Sequence, residues 1–188
     1  MANRRRGLLS FGLFAALVPS LAMAESWETV TPEMTPVHIE AGWPWLDGAR
    51  QETVRTWNAD NSARYYLASW TAILGLPRVE ILFIEIGANK YWKKVDPMNE
   101  EFLRIWAFLQ DEAISAIKAV SCAAEQCLQF AIPRSTCLAF TDVLGSMGAR
   151  SELPGANIVR GYHCSGAKAD YTGGEIAEIL AAIDAPKR

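Results

Sequence analysis

The chain has 188 residues, 51% of them hydrophobic, and a formal net charge of −3. Arg4, Arg5 and Arg6 belong to an N-terminal leader; without them 15 Lys+Arg face 21 Asp+Glu, a net charge of about −6. So acidic a chain lacks the phosphate attraction that drives nucleic-acid binding, and anionic lipid surfaces are disfavoured for the same reason.

The leader reads as an export signal. The arginines form a basic start, Leu8 to Val18 form a short apolar run, and Ala22-Met23-Ala24 supplies the small-x-small pattern cut by a signal peptidase. The run is roughly half of what a helix needs to cross a bilayer, so no membrane span is expected. Residues 1–24 are read as a cleaved signal peptide and 25–188 as one domain, periplasmic or secreted from a bacterial cell after cleavage behind Ala24. Arg5-Arg6-Gly7-Leu8-Leu9 also partly matches the twin-arginine motif, whose passengers travel folded and often loaded with a cofactor. Both export routes stay open.

Glu25 to Leu46 is rich in proline, with short strands expected at 27–30 and 37–40. Residues 47–57 are ambiguous between a helix and one arm of a hairpin turning at 58–61. Arg64–Ala72 and Arg78–Ile86 are rich in aromatic and β-branched residues, and Leu74-Gly75-Leu76-Pro77 separates them as a turn between antiparallel strands. The second run is apolar on both faces, which predicts a strand inside a sheet covered on both sides.

Asp96-Pro97 reads as a helix start, followed by Phe102, Ile105, Trp106, Leu109, Ala113, Ala116, Ile117 and Val120 at helical spacing. That spacing predicts one long amphipathic helix ending near Ser121. Short strands are expected at 128–132, 137–143 and 158–164, with a turn at Pro133-Arg134-Ser135. Thr172 and Glu175 make a capping box ahead of Ile176, Ile179, Leu180 and Ile183. The expected fold is α+β: a single domain with an antiparallel sheet of about five strands, one long amphipathic helix, a C-terminal helix and two disulfides.

Four cysteines in an exported chain read as two disulfides, with three connectivities open. Pairing Cys122 with Cys127, at a helix end, and Cys137 with Cys164, across neighbouring strands, is preferred. The spacing does not suit zinc, and His163 and Cys164, adjacent on a strand, point to opposite faces. No metal and no cofactor is expected.

Cys137-Leu138-Ala139-Phe140, Gly145, Gly161-Tyr162-His163-Cys164 and the helix from Thr172 follow a Cys-x-Ala-Phe…Gly-Tyr-x-Cys pattern. In these residues the chain resembles small exported bacterial proteins of unknown function. The resemblance covers about 50 residues; it implies a Cys137–Cys164 bridge between paired strands and no activity.

His163 and His38 are the only histidines, so a serine or cysteine nucleophile would have to use one of them. His163 is read as a half-exposed strand residue. Glu85, on an otherwise apolar strand face, is a second acid–base candidate, against pairing with Arg64, Arg104 or Lys90. Ser165…Lys168 and Ser115…Lys118 match Ser-x-x-Lys without the companion motifs that chemistry needs. Trp43, Trp45 and Trp92 lie in loops, and Lys90, Tyr91, Trp92, Lys93 and Lys94 join positive charge to aromatic rings; these seven residues are the expected contact surface for a ligand or partner. The function expected is that of a non-catalytic exported protein binding a ligand or a periplasmic partner. The alternatives are a cell-envelope hydrolase using His163 or Glu85, and a cofactor-carrying twin-arginine passenger.

Overall fold

Runs of β-branched and aromatic residues prefer extended backbone because their side chains pack on a pleated surface, and here they build one large sheet. A computed structural model describes residues 27–39, 49–57, 63–86, 97–144, 157–167 and 169–186. Strands β1 (Glu28–Thr29), β3 (Arg50–Trp57), β4 (Ala63–Thr71), β5 (Arg78–Ile86), β6 (Ser115–Ala119), β7 (Gln126–Ile132), β8 (Ser135–Leu144) and β9 (Asn157–Cys164) form an eight-stranded sheet. Its order is β1-β3-β4-β5-β9-β8-β7-β6, and every neighbouring pair runs antiparallel. Two short strands, β2 (His38–Ile39) and β10 (Ile183–Asp184), pair separately. The described helices are α1 (Glu100–Leu103) and α2 (Gly173–Ala181).

The expected α+β fold, with about five strands and one long helix, is therefore corrected to a mostly-β one. The error lies between Phe102 and Val120. Phe102, Leu103, Trp106 and Leu109 are buried as a helix stripe requires, but Ile105 and Ile117 are exposed. The chain makes one turn of α1, capped by Asn99, whose Oδ1 accepts the Phe102 N–H at 2.8 Å. The Asp96 expected in that role lies outside the described residues. Trp106 then turns to extended backbone, and Arg104 donates to the carbonyls of Gln110 and Glu112 at 2.9 and 3.0 Å around a 3-10 turn at Ala107–Leu109. Beyond it Ser115–Ala119 joins the sheet beside β7, with a register shift and a positive φ of 52° at Ala116. Apolar spacing of three and four does not distinguish a long helix from a short turn followed by a strand. A neighbouring strand offering ladder hydrogen bonds outweighs the small propensity differences involved.

The ambiguous stretch before Trp57 is strand β3, paired with β4 from Arg50↔Thr71 to Trp57↔Arg64. β5 lies inside the sheet, between β4 and β9, as its two apolar faces predict. One face carries Trp70, Ile81, Phe83, Leu138, Phe140 and Val159 under Ile176 and Ile179 of α2. The other carries Leu82, Ala139 and Tyr162 beneath Phe102, Leu103, Trp106 and Leu109.

Both disulfides form. Cys137 and Cys164 are register partners on β8 and β9 with Cα atoms 4.1 Å apart, so their bridge ties two central strands. Cys122–Cys127 closes a short loop that leads into β7, not a helix end. Gly161 is required by crowding: a Cβ there would stand 2.6 Å from the Glu80 carbonyl oxygen and from the Phe140 ring. The Thr172–Glu175 capping box is present at the start of α2.

Candidate functional site

His163 is fully buried, which corrects the half-exposed reading. β9 faces it toward α2, in register with Val79 on β5 and Leu138 on β8. Tyr171, just ahead of α2, covers it: the Tyr171 hydroxyl lies 2.8 Å from His163 Nδ1 and donates toward the carbonyls of Thr136 and His163 at 3.2 Å. The Tyr171 N–H donates to Gln129 Oε1 at 2.9 Å. Burial pulls the imidazole pKa down to about 3 and pushes the Tyr171 hydroxyl above its ordinary range. At neutral pH this holds His163 uncharged inside a packed, hydrogen-bonded network.

Glu85 pairs with Arg64 at 3.6 Å, one of the partners considered from the sequence. It does line a hollow of about 360 Å³ with Arg64, Tyr66, Glu33 and Asn157. The side chain paired with it is a guanidinium, and both side chains are partly exposed.

A buried charge cluster on the other face had no sequence signal beyond Glu80 standing in an apolar run. Glu80, 4% exposed, accepts from Arg78 Nε at 2.8 Å and from Arg78 Nη2. Tyr162 is the register partner of Glu80 on β9. Phe108 stacks on Tyr162 at 6.2 Å, Trp106 meets it edge-on at 5.3 Å, and Arg78 lies 4.7 Å over the Phe108 ring. Burial, reinforced by the Glu80 charge, pushes the Tyr162 hydroxyl above its ordinary range. Arg78 is held charged: burial opposes its charge, and Glu80 and Tyr162 together outweigh that. The cluster is a paired, aromatic-roofed structural unit.

Another open surface lies at the far end of the His163 face. A groove of about 340 Å³ has Phe140, Leu144 and Val159 of the sheet as its floor. Its walls are Ala123 and Ala124 from the Cys122–Cys127 loop, Ala177, Leu180 and Ala181 of α2, then Ile183 and Ala185. Five alanines surround it, and small side chains leave volume that larger ones would fill. Among the described residues Asp142 is the one charged residue in the lining; its Oδ1 accepts the backbone N–H groups of Val143 at 3.0 Å and Glu125 at 3.3 Å, which fixes the carboxylate in the wall. Glu125, Glu178 and Asp184 are exposed and next in the chain to lining residues, but they do not themselves line the groove. Aliphatic side chains and one oriented carboxylate line it, about half of its exposed lining is polar, and its volume is at the lower end of the ~300–1,000 Å³ of ligand pockets.

The other candidates divide in two. Trp43, Trp45, Lys90, Tyr91, Trp92, Lys93 and Lys94 lie outside the described residues, as does Lys168. Ser115 and Lys118 stand on β6 rather than a helix, and Lys118 pairs with Asp170 at 2.6 Å. Ser165 Oγ donates to the Ala167 carbonyl at 3.1 Å. Among the described residues no three His, Cys, Asp or Glu side chains are grouped to hold a metal ion, and no helix is long and apolar enough to cross a membrane. The groove was invisible beforehand because alanines carry no chemical signal until the fold sets them around one space. No family model, no curated protein and no solved structure matches this chain.

Proposed function

We propose that this is an exported, non-catalytic binding protein whose groove takes an apolar ligand ending in a cation or hydrogen-bond donor. The single observation behind the ligand class is the groove itself: aliphatic and aromatic side chains and one oriented carboxylate at Asp142. A carboxylate in the wall of an acidic protein disfavours anionic ligands and favours ammonium or amidinium ends. The two disulfides suit an oxidising compartment, which agrees with the export leader. The seal over His163 and the Arg64–Glu85 pair support binding over hydrolysis. The Trp43, Trp45 and Lys90–Lys94 surface proposed from the sequence would serve a separate contact, with an anionic or acidic partner.

Isothermal titration with a short-chain alkylammonium below its micelle-forming concentration, against the alcohol and carboxylate of the same chain, tests the reading. The ammonium should bind tightest, and Asp142→Asn should remove that preference by about tenfold, the loss of roughly one charge-assisted contact. Equal affinity for all three, or tighter binding of the carboxylate, contradicts it.

A further inference from the structure

The two disulfides differ in what they hold and in how they can be reached. Cys137 and Cys164 are both 0% exposed, lie 27 residues apart in sequence and join neighbouring strands inside the cluster that contains Leu103, Trp106 and Leu109. A thiol reaches that bridge only after the core opens. Cys122 and Cys127 lie five residues apart. Cys127 is buried, but Cys122 is half-buried and Ser121, Ala123 and Glu125 around it are exposed, so this bridge stands at the surface of the fold. A bridge that closes a short loop also constrains the unfolded chain less than one that closes a long loop. Reachable bridges on which little of the fold depends are the ones that exchange with other thiols.

What the short bridge does hold is one wall of the groove. Ala123 and Ala124, between its two cysteines, line that wall. The next residue, Glu125, donates its backbone N–H to Asp142 Oδ1 at 3.3 Å, so the same loop helps to orient the carboxylate. Below the loop the strands are held without the bridge. The Val120 N–H donates to the Cys127 carbonyl at 3.1 Å, Ala119 is in register with Leu128, and Cys127 is in register with Phe140. Opening the bridge therefore frees Ala123 to Glu125 and leaves β6, β7 and β8 paired. Asp142 keeps the Val143 N–H at 3.0 Å, but its second donor is no longer held in place.

Resting on the groove reading above, we propose that Cys122–Cys127 is a redox switch on the groove: a protein dithiol opens it while Cys137–Cys164 stays closed, and the freed loop weakens ligand binding. The exchange balances without another reactant. A thiolate of the dithiol attacks the sulfur of Cys122, the less buried of the two, and the Cys127 sulfur leaves as a thiolate and takes up a proton. The second thiol of the dithiol then attacks the mixed disulfide and releases Cys122, which is protonated in turn. Two electrons and two protons pass to the protein, and the dithiol becomes a disulfide. A disulfide-carrying partner runs the same steps backwards and restores the wall.

Graded dithiothreitol, a small dithiol in place of the protein one, tests this on the disulfide-bonded chain 25–188, with thiols trapped by iodoacetamide and located by peptide mass. Cys122 and Cys127 should become labelled at a dithiothreitol concentration at least about tenfold below that needed for Cys137 and Cys164. Across that window circular dichroism should not change. Titration with the short-chain alkylammonium should show affinity weakened about tenfold, and oxidised dithiothreitol should restore it. The double variant Cys122→Ser, Cys127→Ser should bind as the reduced chain does and ignore the reductant, and the reduction series of the folded wild type decides if that variant does not fold. Opening of both bridges together, loss of the fold when Cys122–Cys127 opens, or equal affinity of the oxidised and reduced chains would overturn the proposal. The oxidised chain separates the two readings: binding there that reduction does not change removes the switch and leaves the groove, and no binding there removes both.

Discussion

Under helix α2 the same sheet face is closed at one end and open at the other. At the closed end Tyr171 fills the space above β8 and β9 and bonds His163, leaving the imidazole neutral and out of reach. At the open end Ala177 and Ala181 stand where larger residues would reach Phe140 and Val159, and a groove remains. Side-chain size at a few positions decides which end can act. The residue with the most catalytic promise by type is covered, and the open surface is built mostly of small aliphatic residues around the Asp142 carboxylate.

Loss of the Cys137–Cys164 bridge should have the largest effect. Replacing both cysteines with alanine should cost about 2–5 kcal/mol in chemical denaturation. The groove lies at the other end of β8 and β9, so ligand affinity measured well below the unfolding transition should change little. A comparable fall in affinity would mean that the two ends are not separable.

The closed end also predicts a pH dependence. The folded-state pKa of His163 lies near 3, below its ordinary value of 6.5. The unfolded chain therefore binds a proton that the folded chain refuses. The contribution is fully present above about pH 6.5 and is lost as pH falls toward 3, by up to about 1.4 kcal/mol per pH unit. Urea midpoints between about pH 7 and about pH 4 should fall more steeply for wild type than for His163→Gln. Parallel slopes would show that the imidazole is not sealed. Tyr171→Phe should be milder, costing about 1–3 kcal/mol by removing the hydroxyl from buried partners, and should raise the His163 pKa, read by NMR titration, only if water then enters.

Much of the frame was legible in the residues. The alternation and turn residues of Arg64–Ile86 specify the β4–β5 hairpin, the cysteine spacing suggested the bridges that form, and the capping box marks the start of α2. The stretch 102–120 misled because its apolar spacing satisfies a helix until a partner strand is known. Ile117 would face a helix core in one reading and is exposed on an edge strand in the other. His163 was misjudged for a related reason: its cover, Tyr171, arrives from beyond the strand. The groove left no trace at all, since five alanines contributed by a disulfide loop, a helix and the segment after β10 mean nothing until they surround one space.

The smallest effect on stability sharpens the comparison at the open end. Ala181→Leu should change stability by no more than about 0.5 kcal/mol, because the position is exposed. It should nevertheless weaken alkylammonium binding at least about tenfold by occupying the groove.

The most direct test is an NMR titration of the disulfide-bonded chain with that alkylammonium. Backbone shifts should concentrate at Ala123, Ala124, Asp142, Val159, Ala177 and Ala181, with Tyr171 and His163 unmoved. Shifts centred on His163 and Tyr171, or on the Glu85 hollow with the groove silent, would contradict the assignment of function to the groove.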